Sequence, residues 1–115
     1  MTAPPPESLA WDDVPVERPL PGVLRQTIQG AAQTIVRYRY APGAHFPVHR
    51  HPQEQITIVL AGAIVFQIDG ARRELVAGQI AVIPSDTPHG ADVEGDAWVD
   101  TLNCLSPRRE ASPSF

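Results

Sequence analysis

Short β-branched runs separated by proline and glycine fill this chain, and that punctuation constrains its fold more than any other feature. Thirteen prolines and eight glycines fall between the apolar segments, where they interrupt helices and set turns. Thr34–Tyr40 (TIVRYRY) alternates, with Val36, Tyr38 and Tyr40 on one face and Ile35, Arg37 and Arg39 on the other. The tyrosine face is expected to point inward and the arginine face outward. Gln55–Leu60 (QITIVL) reads as a strand, Ala61-Gly62 as a tight turn and Ala63–Ile68 (AIVFQI) as the hairpin partner. Asp69-Gly70 is a strong hairpin signal leading into Arg73–Val76. Ile80–Ile83 is a short buried strand closed by Pro84, and Ala97–Leu105 is the last strand. Only Val23–Ile28 is ambiguous between helix and strand. Roughly seven to nine short strands at even spacing predict an all-β barrel or sandwich.

A chain of 115 residues holds one domain with a single modest core. Residues 1–8 read as a flexible arm, 9–106 as the barrel, and 107–115 as a tail with little to bury. The formal net charge of −4 argues against nucleic-acid and anionic-membrane partners, which need a basic surface. The longest apolar run, Ile58 to Phe66, is broken at Gly62 and is too short to span a bilayer. MTAPPPES has neither a basic nor an apolar leader region, so a cytoplasmic location is expected. Cys104 is the sole cysteine, which excludes an intramolecular disulfide; it reads as a small hydrophobe. Trp11 and Trp98 read as packing anchors.

Residues 49–55, HRHPQEQ, carry the chemistry. His49 and His51 are two apart, so on an extended strand both imidazoles face one way and can grip one divalent ion. Gln55 has the same phase and would open a strand beside the histidines, but Pro52 interrupts the phase argument. On spacing alone Glu54 and Gln55 both stand as the third donor. His89, in PSDTPHG, lies where an antiparallel barrel can bring it to the same spot. His45 reads as a solvated loop residue. Tyr38 faces the interior, where a phenol fills volume or meets a substrate.

Gly43 to Gly62 resembles the first cupin motif, G-x5-H-x-H-x3-E-x6-G, with Gln55 at the glutamate position. Gly78 to Val93 resembles the second, G-x5-P-x-G-x2-H-x3-N, with Asp86 in place of the glycine and Val93 in place of the asparagine. The resemblance implies a single double-stranded β-helix, or jelly-roll, barrel with His49, His51, Gln55 and His89 as metal ligands. Glu54 is then a bystander. Within cupins the chain is similar to the small single-barrel KdgF-type pectin-degradation proteins over most of its length, including the ending from Leu105 to Glu110. The same three-His, one-Gln set is shared by small cupin polyketide cyclases. KdgF-type proteins carry Asp-x-Phe ahead of the final Ser-Pro, and the acid moves a proton at the sugar. Here Asn103-Cys104-Leu105 stands instead, and a carboxamide takes up no proton near neutral pH. Asn103 is left as a hydrogen-bonding partner for a substrate hydroxyl or carbonyl.

Three functions follow. The first is a metal-dependent lyase or isomerase acting on a small carbonyl or enol substrate, KdgF-like or cyclase-like, with one Zn, Mn, Fe or Ni as Lewis acid. The second is a dioxygenase binding O2 at an open metal position. The third is a non-catalytic metal- or ligand-sensing barrel, favoured by the missing acid at position 103. A barrel open at one end with free strand edges is expected to pair as a homodimer, N-terminal strands joining the partner sheet.

Overall fold

The computed structural model describes residues 5–110. Residues 1–4 of the expected arm and 111–115 of the expected tail lie outside the described residues. After a single 3-10 turn at Trp11–Asp13 come ten strands: β1 (Glu17–Leu20), β2 (Val23–Gln29), β3 (Thr34–Tyr40), β4 (His45–His49), β5 (Glu54–Ala61), β6 (Ala63–Ile68), β7 (Ala71–Val76), β8 (Ile80–Ile83), β9 (His89–Asp92) and β10 (Val99–Ser106). They form a six-stranded sheet, β1-β2-β3-β10-β5-β8, and a four-stranded sheet, β4-β9-β6-β7. All pairings among the described residues are antiparallel. The result is the expected all-β jelly-roll barrel. No helix among the described residues is long and apolar enough to cross a membrane.

The ambiguous stretch Val23–Gln29 is a strand, paired residue for residue with β3 from Val23↔Tyr40 to Gln29↔Thr34. A strand partner with matching alternation decides what a seven-residue pattern alone leaves open. β3 alternates as anticipated: Val36, Tyr38 and Tyr40 are buried and Arg37 and Arg39 are half-buried on the other face. The inward residues of both sheets make one core, in which Phe46 meets Tyr38 edge-on at 5.3 Å and Tyr40 at 6.4 Å.

On the outer face Arg37 forms a two-pronged bond to Asp100, at 3.0 and 2.7 Å. Its guanidinium lies 5.1 Å from the centre of the Trp11 ring. Gln26 donates to the carbonyls of Trp11 and Val14, tying the N-terminal turn to the sheet. Trp11 is thus the anchor expected of it. Trp98 is not: it is 53% exposed, in the loop before β10, where no strand alternation directs it inward.

Trp98 contributes through its backbone. Gly62, in the β5–β6 turn, has φ +80°, and a Cβ there would lie 2.6 Å from the Trp98 carbonyl oxygen and 3.0 Å from Val99 Cα. Glycine closes the first motif because backbone, which cannot swing aside, occupies the space. Asp86 stands in place of the second motif's glycine and adopts the same left-handed region, φ 59°, which aspartate tolerates better than most residues. Gly62→Ala combines left-handed strain with overpacking, so we expect a loss of about 2–4 kcal/mol in denaturant unfolding. A loss below about 0.5 kcal/mol, the level of an ordinary surface substitution, contradicts this account.

Candidate metal centre

His49 ends β4 and pairs directly with His89, which begins β9, after an irregularity between Phe46 and His49. His51 is not on that strand. It lies in the turn that follows, held where its carbonyl accepts the backbone N–H of Asp86 at 2.9 Å. Gln55 is not beside the histidines either. β5 belongs to the six-stranded sheet, between β10 and β8, so Gln55 shares the barrel's cavity with His49 and His89 from the opposite sheet. The expected adjacency of the Gln55 strand to the histidines is therefore corrected to a meeting of opposite sheets, because the β4–β5 turn carries the chain from one to the other. Glu54 points outward and is exposed.

The three imidazoles share one tautomer. Each Nδ1 lies against a backbone carbonyl two residues away: His49 on Pro47 at 2.9 Å, His51 on Gln53 at 3.0 Å and His89 on Thr87 at 2.8 Å. A carbonyl oxygen only accepts, so each Nδ1 is the protonated nitrogen and each Nε2 keeps its lone pair. One ring nitrogen from each histidine falls in a group spanning no more than 4.8 Å. His89 Nε2 is buried with no hydrogen-bond partner among the described residues. A buried acceptor left this way costs about 1–3 kcal/mol.

Gln55 Oε1 lies 3.1 Å from His51 Nε2. With Nδ1 protonated, both atoms are acceptors, and they repel unless a proton or cation sits between them. Neighbouring ligands on an ion with bonds of about 2.1 Å stand about 3.0–3.4 Å apart. The donor set therefore fits a divalent transition metal: three oriented imidazoles and one amide oxygen, all neutral.

Burial, opposed in part by the Pro47 carbonyl and aided by the neighbouring imidazoles, pushes His49 down to about 4; burial also lowers His89. Both rings are neutral at ordinary pH, the form that ligates.

Tyr38, Tyr40, Phe46, Phe66, Asn103 and Arg109 line a narrow cavity over these histidines. Burial raises the Tyr38 phenol, partly offset by Arg25 beside it, so it stays a proton donor. Arg109 was hidden in a segment read as tail. Its N–H donates to Thr34 Oγ1 at 2.9 Å and its carbonyl accepts from Gln29 at 2.7 Å, which folds the segment back over the mouth. Burial lowers its guanidinium. The family likeness of the ending was the one signal that this arginine belongs to the site. Asn103 lines the cavity wall, but its amide is fully engaged by protein groups. His45 is exposed and paired with Asp92 at 2.7 Å, away from the cluster.

Residues 36–103 match the cupin domain family, Cupin_2. The chain belongs to the cupin family. Among solved structures, this cupin is similar to KdgF from a Halomonas species, 27% identical with a TM-score of 0.82 over 92% of this chain and 97% of that one. It is similar also to an RmlC-like cupin from Shewanella frigidimarina, 26% identical with a TM-score of 0.79 over 86% and 88%. Oxalate decarboxylase from Bacillus subtilis matches in fold alone, 16% identical with a TM-score of 0.82 over 91% of this chain and 30% of that one. No curated protein matches significantly.

For the metal-free protein, His49 and His89 take up protons on unfolding before they do when folded. Stability is then fully present above the unfolded value near 6.5 and declines as pH falls toward about 4. Thermal unfolding of chelator-treated protein at pH 7, 6 and 5 should show a steady fall in midpoint. An invariant midpoint contradicts the burial assigned to these rings.

Proposed function

We propose that this cupin is a metal-dependent lyase or isomerase that acts on a small carbonyl or enol substrate at one divalent transition metal held by His49, His51, Gln55 and His89. The observation that carries the reading is the shared tautomer of the three histidines, whose ring nitrogens gather within 4.8 Å of one another, with Gln55 Oε1 3.1 Å from the unprotonated His51 Nε2. Bound there, the ion supplies Lewis acidity, and four neutral ligands leave its charge uncompensated for polarising a substrate oxygen. Tyr38, kept protonated by burial, donates to an oxygen of the substrate. Arg109 at the mouth suits a substrate bearing an acid group. Apolar walls from Phe46, Phe66 and Leu105 exclude water around them. The likeness to Halomonas KdgF supports a sugar-acid or related keto-enol substrate.

The sensor reading has one observation in its favour: no carboxylate is among the described residues that line the cavity. The dioxygenase reading has none of its own. Metal analysis of purified protein should find close to one transition metal per chain, and His89→Ala should abolish it. Full occupancy in that variant overturns the ligand set. Given the metal, turnover of unsaturated uronates or of cyclisable keto-enol acids supports the enzyme, whereas tight binding of small acids without turnover supports the sensor. Metal-dependent O2 consumption supports the dioxygenase.

The homodimer is proposed on the outer face of the larger sheet. Ile28, Ile35, Cys104, Ile56 and Val82 lie in register across β2, β3, β10, β5 and β8, and Leu102, Ile58 and Ile80 form the next row. Val82 and Ile80, on the edge strand, are 58% and 57% exposed, and contiguous apolar residues on a sheet face are a common protein–protein contact. Sedimentation should give a dimer for the wild type and a monomer for Val82→Lys. A monomeric wild type removes this part of the proposal.

A further inference from the structure

We infer that Asn103 is a positioning residue: with Thr57 it forces Gln55 to present its oxygen, and not its nitrogen, to the histidine cluster. This rests on the metal reading above, but the geometry behind it belongs to the metal-free chain.

The constraint starts at the backbone. Asn103, in β10, lies between Val36 of β3 and Thr57 of β5 in a single cross-strand row. Asn103 Nδ2 donates to the Val36 carbonyl at 3.1 Å and to Thr101 Oγ1 at 3.0 Å. The Thr101 hydroxyl donates its own proton to the Tyr38 carbonyl at 3.0 Å, so toward Asn103 it can only accept. Two carbonyls that cannot donate therefore fix which end of the Asn103 amide faces β3. Oδ1 is left facing β5.

There it accepts from Thr57 Oγ1 at 2.7 Å and from Gln55 Nε2 at 3.2 Å. Thr57 has now given its proton, so its oxygen accepts the other Gln55 Nε2 hydrogen at 2.9 Å. Both donors of the Gln55 amide are engaged, and the flipped rotamer would set Oε1 against two acceptors. Oε1 consequently points to His51 Nε2, and every donor of the row is engaged, with Thr57 and Thr101 0% exposed and Asn103 2%. A free glutamine has no such preference.

An aspartate at position 103 does not reproduce this arrangement. It has no N–H for the Val36 carbonyl or for the Thr101 oxygen, and when ionised it sets a carboxylate oxygen against that carbonyl. The amide is thus what the row requires. This explains why a residue that cannot act as a base occupies a buried position in the cavity wall.

The test uses Co2+ as the probe, with affinity from chelator competition and the visible spectrum as a reporter of the donor set. Asn103→Leu should weaken Co2+ binding by about 10–100-fold and alter the spectrum, the usual effect of losing a residue that orients a ligand. In a Gln55→Glu background, where both ends of the ligand are oxygen, the same substitution should cost less than about threefold. Equal losses in the two backgrounds, or none in the first, overturn the inference. Thr57→Val, nearly the same shape, serves the same comparison if Asn103→Leu does not fold by circular dichroism. Nitrogen-15 NMR of the metal-free protein supplies a readout without metal: the Gln55 carboxamide protons should exchange slowly, and fast in either variant. Unprotected Gln55 protons in the wild type refute the relay. If the wild type binds no Co2+ while those protons are protected, the metal reading fails and the positioning role stands.

Discussion

A backbone carbonyl oxygen can accept a hydrogen bond and never give one, and five such oxygens orient the side chains at the centre of this barrel. Pro47, Gln53 and Thr87 set the tautomers of His49, His51 and His89. Val36 and Tyr38, through Asn103 and Thr101, set the direction of the Gln55 amide. Strand pairing holds these carbonyls, or the residues they contact, in place, except for Gln53 and His51, which the β4–β5 turn positions. The site's polarity is therefore a consequence of the sheet, with no charged residue needed to impose it.

That arrangement reconciles a polar row with an apolar interior. Gln55, Thr57, Thr101 and Asn103 are buried among Val36, Tyr38, Phe66 and Leu105. Unpaired, they would oppose folding; with their donors paired, they define one arrangement of the cavity wall. The exception is the Nε2 of His89, and with it the face-to-face acceptors of His51 and Gln55. Unsatisfied groups confined to one point mark where the chain expects something from outside itself.

Much of this was legible beforehand. Period-two alternation in TIVRYRY and β-branched QITIVL identified the strands and their inward residues, because alternation on a pleated strand directly encodes burial. Motif spacing from Gly43 to Gly62 separated Gln55 from Glu54, and Gly62 itself proved irreplaceable against the Trp98 carbonyl. What escaped were relations between residues distant in sequence. Arg109 lies 75 positions from Thr34, its partner at the cavity mouth. Asn103 lies 48 from Gln55. The last strand begins at Val99, two residues later than Ala97–Leu105 suggested, which leaves the Trp98 ring exposed in the preceding loop.

The sequence by itself determined an all-β chain, because strand periodicity and turn chemistry are local properties, and its likeness to the cupin motifs named a neutral cluster of three histidines and a glutamine that could hold a metal. Only the tertiary structure decided that the histidines and Gln55 come from opposite sheets, and which atom each one offers. Tautomer and amide direction depend on acceptors supplied by other strands, and no spacing along the chain records them.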